Sequence, residues 1–119
     1  MFEGGFEMNQ FVIFAFNGNP MCFVHVLLNA LDLESKGMGG KIVIEGEAVK
    51  LVEEMETSGN PLYRKAKEKG LIDCICRACS SKMGVLEYNA TVGIPLGGDM
   101  TGHPSFSSYI EKGHQVITL

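Results

Sequence analysis

Apolar and polar positions along this chain change period repeatedly, from the unbroken runs of covered strands to the three-and-four spacing of helices. Gln10–Phe16 (QFVIFAF) is a near-continuous apolar run rich in aromatic and β-branched residues, as expected of a strand covered on both faces. Asn17-Gly18-Asn19-Pro20 ends it. Asn19 suits a helix cap, and Pro20 suits the first helical turn, where its missing N–H would lack a partner in any case. The helix that follows is expected to reach about Lys36, with Val24, Leu27, Leu28 and Leu31 as its apolar stripe. Phe23, Val26 and Ala30 widen that stripe, which implies deep burial or a second subunit. Gly37, Gly39 and Gly40 stop the helix.

Lys41–Glu45 (KIVIE) reads as a second strand, and Ala48, Val52 and Met55 mark an amphipathic helix ending near Ser58-Gly59. Asn60-Pro61 starts another helix by the same device as the first, and Gly70 closes it. Leu71–Cys76 (LIDCIC) is the third strand, followed by a helix through Met83 to about Leu86. Thr91–Leu96 is a weaker strand candidate, and Gly97–His103 reads as a mobile loop. Pro104–Lys112 is a helix, and His114–Leu119 (HQVITL) the last strand. Strands alternating with helices predict an α/β, three-layer αβα, flavodoxin-like fold whose mainly parallel sheet has about five strands. Met1–Asn9 is read as a flexible lead-in to a single domain over residues 10–119, with Met8 as an alternative start.

Composition changes this picture little. The 119 residues are 45% hydrophobic and 20% charged, enough apolar material for one core. A formal net charge of −4 and a pI near 5.3 argue against a nucleic-acid partner. No apolar run is long enough for a membrane span. The acids Glu3 and Glu7 replace the basic start of a signal peptide, so a cytoplasmic location is expected. In a reducing compartment the cysteines at 22, 74, 76 and 79 read as catalytic, redox or metal-binding groups, not as a disulfide framework.

The chemistry concentrates in Cys74-Ile75-Cys76-Arg77-Ala78-Cys79-Ser80-Ser81-Lys82-Met83-Gly84, which leaves a strand and enters a helix. A cysteine at that junction lies beside unpaired backbone N–H groups, which favour thiolate over thiol. Cys76 and Cys79, three residues apart, can form a disulfide or share a sulfur atom, and they are the catalytic candidates. Cys22 and Cys74, inside a helix and a strand, read as small buried hydrophobes.

Cys76-Arg77-Ala78-Cys79, Met83-Gly84-Val85 and the order of elements together resemble the DsrE/DsrF-like family, small α/β proteins that include sulfur-relay subunits of the DsrE and TusD type. The resemblance spans residues 10–119, although only the cysteine segment is specific. It implies a persulfide carrier or sulfurtransferase subunit in which Cys76 matches the persulfide-bearing cysteine and Cys79 the second thiol. It also implies sulfur donor and acceptor proteins and a homo-oligomer, a trimer or hexamer.

Rival readings use the same residues. A thioredoxin-like protein would carry its C-x-x-C after an early strand, whereas three strands come first here. A zinc site from Cys74, Cys76 and Cys79, with His103 as one option for the fourth position, has no defined fourth ligand, so no metal is assigned. A structural or binding subunit without turnover would also suit the wide apolar helix. No organic cofactor is expected, because Asn17–Pro20 lacks a Walker or G-x-G-x-x-G pattern and the hydroxyl-rich cradle of a flavin phosphate. His103 is a base or ligand within reach of the cysteines, or else merely solvated. His25 reads as buried or at an interface, and Glu53, Glu54 and Glu56 as a solvated face.

Overall fold

The apolar runs become strands and the amphipathic stretches become helices in the computed structural model, which describes residues 9–119. The expected lead-in therefore lies, apart from Asn9, outside the described residues. The strands are β1 (Gln10–Ala15), β2 (Gly39–Ile44), β3 (Ile72–Cys76), β4 (Leu96–Gly97) and β5 (His114–Thr118). The helices are α1 (Pro20–Ser35), α2 (Leu51–Ser58), α3 (Pro61–Glu68), α4 (Arg77–Lys82), α5 (Leu86–Asn89) and α6 (Phe106–Ile110), with a 3-10 turn over Gly46–Lys50. All pairings are parallel, in the order β4-β3-β2-β1-β5. This is the expected α/β architecture with a five-stranded parallel sheet.

Both faces of the sheet are covered, as the unbroken apolar runs require. Ile13, Ile42, Ile44 and Ile75 pack on one face beneath α1, the 3-10 turn, α2 and α3. Val12, Phe14, Val43 and Cys74 face the other way, beneath α6 and its Tyr109. Phe14 meets the rings of Phe106 and Tyr109 edge to face at 4.7 and 5.5 Å. Burying such a side chain contributes about 1.5–3 kcal/mol.

The first helix starts where the sequence predicts. Asn19 Oδ1 accepts the backbone N–H groups of Met21 and Cys22 at 2.8 and 3.4 Å, with Pro20 at the first turn. Its buried face differs from the predicted stripe. Phe23, Val26, Leu27 and Ala30 are buried, whereas Leu28 and Met21 stay exposed and Val24 is only half-buried. The buried set is itself a single i, i+3, i+4, i+7 stripe, turned one residue back from the expected one, and it is this face that α1 lays on the sheet. The close fit of α1 on β2 depends on Gly40, whose φ is +92° and where an added Cβ would stand 2.3 Å from the Ala30 carbonyl oxygen. Strand β2 accordingly begins at Gly39, two residues before the apolar run.

Two further expectations need correction. The helix foreseen from the cysteine segment to Leu86 is broken at Gly84, which takes a φ of +75° and separates α4 from α5. The strand candidate Thr91–Leu96 is mostly turn, and β4 holds only Leu96 and Gly97. Those two residues pair with Ile75 and Cys76 at the sheet edge, where few ladder bonds reward a longer strand.

Candidate functional site

The carboxyl ends of parallel strands are where reactive groups collect in open α/β sheets, and three strands deliver theirs to one place. Glu45 follows β2, Cys76 ends β3, Cys79 lies in the first turn of α4, and His103 follows β4. Their donor atoms all lie within 4.8 Å of one another.

Cys76 is the cap of α4, and its sulfur accepts the Cys79 N–H at 3.3 Å. It also contacts His103 Nδ1 at 3.2 Å and the Gly102 carbonyl at 3.7 Å. Cys79 Sγ lies 3.3 Å from Glu45 Oε1 and 3.6 Å from His103 Nδ1. Glu45 Oε1 in turn stands 3.7 Å from that nitrogen. Each sulfur thus faces the imidazole, and all four cysteines of the chain are free thiols.

The two thiols differ in access. Cys76 is fully buried, at 0% exposure. That burial pushes its thiol far above the ordinary range, with the Cys79 N–H opposing and the Cys79 and Glu45 side chains adding to the rise. Cys79 is half-buried and lines an open cavity of about 580 Å³. Phe16, Met100, Pro104 and Phe106 form most of the remaining wall, with Glu45 and His103 alongside Cys79. The cavity is therefore mainly apolar, with one reactive corner.

The segment Gly97–His103, read as a mobile loop, is a tied turn. Met100 and His103 exchange backbone hydrogen bonds at 2.7 and 2.9 Å. Asp99 holds Ser105 twice, accepting its N–H at 2.9 Å and its hydroxyl at 2.6 Å. These two bonds keep the Asp99 carboxyl below the usual range. Gly102, with a φ of +89°, directs its carbonyl to the Ala78 N–H at 2.9 Å. His103 is pinned beside α4 by this turn, on a short leash from β4.

Behind the thiols, Ser80 donates to the Cys76 carbonyl at 2.7 Å and accepts from Asn89 Nδ2 at 3.1 Å. Asn89 Nδ2 also reaches the Val49 carbonyl at 3.0 Å. Both side chains are fully buried, so this small network joins the 3-10 turn, α4 and α5 beneath the site.

Cys74 stands apart. As expected it is a buried structural thiol: it lies against Tyr109, 3.6 Å from the hydroxyl, and burial pushes its pKa up to about 11. The pleat would place Cys74 and Cys76 on one strand face. The chain is already turning into α4 at Cys76, however, and its sulfur folds back over the Cys79 N–H to the opposite side of the sheet. A zinc set containing Cys74 is thereby excluded. Cys22 is half-buried in α1, His25 is exposed, and Glu53 and Glu54 face solvent. Glu56 pairs with Lys67 at 2.6 Å and Tyr63 at 2.7 Å. Residues Asn17 and Asn19 spend their side-chain oxygens on the turn and the α1 cap, so this loop is a strand–helix connection.

Glu45 and the cavity wall went unnoticed in the sequence. Glu45 is only 5% exposed and closes an apolar strand with an acid. An acid at a strand's carboxyl end was the available signal, but nothing local connected it to a cysteine 34 residues later.

Fold and site together define a parallel α/β protein with a Cys–Cys–His–Glu cluster at the strand ends. No family model matches the chain. It is 32% identical over 122 residues to the uncharacterized protein MJ0733 of Methanocaldococcus jannaschii, covering 97% of this chain and 98% of the relative. The chain belongs to the same family as that archaeal protein. Among solved structures, the conserved protein of unknown function BT1422 from Bacteroides thetaiotaomicron has the same fold, with a TM-score of 0.71 and 19% identity. The match covers 93% of this chain and 95% of BT1422.

Proposed function

We propose that the protein is a sulfur carrier or sulfurtransferase subunit that holds sulfane sulfur at the Cys76–Cys79 pair. The observation that carries this reading is the half-buried Cys79 thiol at the wall of an apolar cavity, with a second thiol and an imidazole beside it. The DsrE/DsrF-like resemblance of the cysteine segment supports the same chemistry. That resemblance points to Cys76 as the first acceptor, but the cavity reaches Cys79, and burial holds Cys76 as a neutral thiol. The proposal therefore places incoming sulfur on Cys79.

In the transfer, His103 takes the Cys79 proton and the thiolate attacks the outer sulfur of a donor persulfide, R–S–SH. The donor S–S bond breaks, R–S⁻ leaves and is protonated, and Cys79–S–SH forms. An acceptor thiolate then attacks the outer sulfur, carries it away as a persulfide and restores the Cys79 thiolate. Alternatively, Cys76 attacks the inner sulfur, releasing HS⁻ and leaving a Cys76–Cys79 disulfide, which a dithiol must reduce. The apolar wall suits the aliphatic or aromatic body of the donor. A homo-oligomer belongs to the same proposal, with the exposed Met21 and Leu28 on α1 as the apolar surface it would cover; light scattering reads the assembly directly.

The test is intact mass spectrometry of reduced, chelator-treated protein after exposure to a persulfide donor. One added sulfur is expected on wild type and on Cys76→Ser, where it should persist longer, and none on Cys79→Ser. Sulfur carried by Cys79→Ser but not by Cys76→Ser would reverse the assignment. Sulfur on no form, with thiols shown to be free, would overturn the carrier reading.

A further inference from the structure

The four groups at the strand ends also match a demand that sulfur transfer does not make. A tetrahedral zinc ion holds sulfur at about 2.3 Å and nitrogen or oxygen at about 2.0–2.2 Å, which sets its ligand atoms roughly 3.4–3.8 Å apart. Here Cys76 Sγ and His103 Nδ1 are 3.2 Å apart, Cys79 Sγ and His103 Nδ1 3.6 Å, Cys79 Sγ and Glu45 Oε1 3.3 Å, and His103 Nδ1 and Glu45 Oε1 3.7 Å. The remaining two separations are within 4.8 Å. Four of the six separations thus lie within about 0.2 Å of the edges of a zinc-sized tetrahedron.

We propose that Cys76, Cys79, His103 and Glu45 form a binding site for one divalent ion of the zinc class. The donor chemistry selects the metal. Two thiolates and one imidazole favour zinc over magnesium or calcium, which prefer sites made of oxygen. Burial adds a second argument. Cys76 and Glu45 are almost completely withdrawn from water, and a carboxylate so placed needs a partner. Its neighbours here are two thiols, which are weak donors, and one imidazole. A bound cation would satisfy Glu45 and both sulfurs together.

The scaffold also supplies an outer shell. The Cys79 N–H bonds Cys76 Sγ, as backbone amides do to ligating thiolates, and Asp99 holds the turn that carries His103. Binding releases the two thiol protons to solvent, because only the thiolates coordinate. Cys79 and His103 face the cavity, so the ion has a route inward. Coordination would engage the same two sulfurs that carry sulfane sulfur in the proposed function. Metal loading and sulfur loading should then exclude one another, a consequence that rests on the carrier reading, whereas the metal site does not.

The experiment is titration of the reduced, metal-free protein with cobalt(II), followed by displacement with zinc(II) against a chelator of known affinity. Expected are one ion per chain, the visible bands of tetrahedral cobalt and a near-ultraviolet thiolate-to-cobalt band. Glu45→Gln and His103→Ala should each weaken zinc binding by at least about tenfold, since even outer partners of metal sites act on the scale of 10–100-fold. Cys79→Ser should remove part of the thiolate band. It also serves if Cys76→Ser fails to fold, because its side chain stands at the cavity wall. Circular dichroism confirms the fold of each variant used.

Binding that ignores both Glu45→Gln and His103→Ala would reveal plain dithiol chelation and overturn the site. Octahedral cobalt spectra or no stoichiometric binding would do the same. Sulfur loading is measured separately, on chelator-treated protein, so failure of the metal site and failure of the carrier reading give different results.

Discussion

Ser80→Ala offers a sharp test of how the site is held from behind. The hydroxyl is fully buried and sits between the Cys76 carbonyl and the Asn89 amide. Removing it leaves one N–H of Asn89 Nδ2 without an acceptor in a place water does not reach. Asn89 Oδ1 is already a buried atom with no partner, so the amide has no better arrangement within reach. A buried donor left unsatisfied costs about 1–3 kcal/mol. Against a domain stability of about 5–15 kcal/mol this is a large fraction. Urea unfolding under reducing conditions measures it. A loss of about 2 kcal/mol at a slope of about 2 kcal/mol per molar urea moves the midpoint down by about 1 M, with the slope unchanged. Asn89→Ala should also destabilise, and the double variant should lose less than the sum, because the two residues share one bond. A Ser80→Ala loss under about 0.5 kcal/mol, or strict additivity, would refute the network as the support of α4.

Two further outcomes concern the turn that carries His103. Gly102→Ala forces a side chain into a φ of +89° and sets its Cβ 3.1 Å from that of Ala78. The left-handed conformation alone costs about 1–2 kcal/mol, so thermal unfolding should shift down by roughly 3–10 °C; an unchanged melting temperature would show that the turn tolerates a side chain. Asp99, whose folded pKa is depressed by Ser105, contributes stability that is present above the ordinary carboxyl value of about 4 and is lost as pH falls through the lower folded value. Asp99→Asn should therefore flatten the acid limb of the stability profile in that window, measured by urea unfolding at stepped pH, and an unaltered limb would remove Asp99 from the account.

The sequence alone determined the class of fold, because periodicity is a local signal. QFVIFAF and LIDCIC have the short, β-branched apolar runs of covered strands, and Asn19-Pro20 and Asn60-Pro61 carry the cap and the fixed φ that start α1 and α3. It also located the cysteine half of the site, since a C-x-x-C at a strand–helix junction is contiguous in the chain, and it offered His103 as a candidate whose place it could not fix. Tertiary structure decided the rest. The exposed side of α1, the two-residue length of β4 and the break at Gly84 depend on what each segment packs against. Glu45 and His103 reach the cysteines only because β2 and β4 flank β3 in the sheet, and no local pattern encodes that adjacency. Which thiol meets the cavity is likewise a matter of burial. Cys76 and Cys79 are three residues apart, yet the helix cap turns one sulfur inward and leaves the other at the wall.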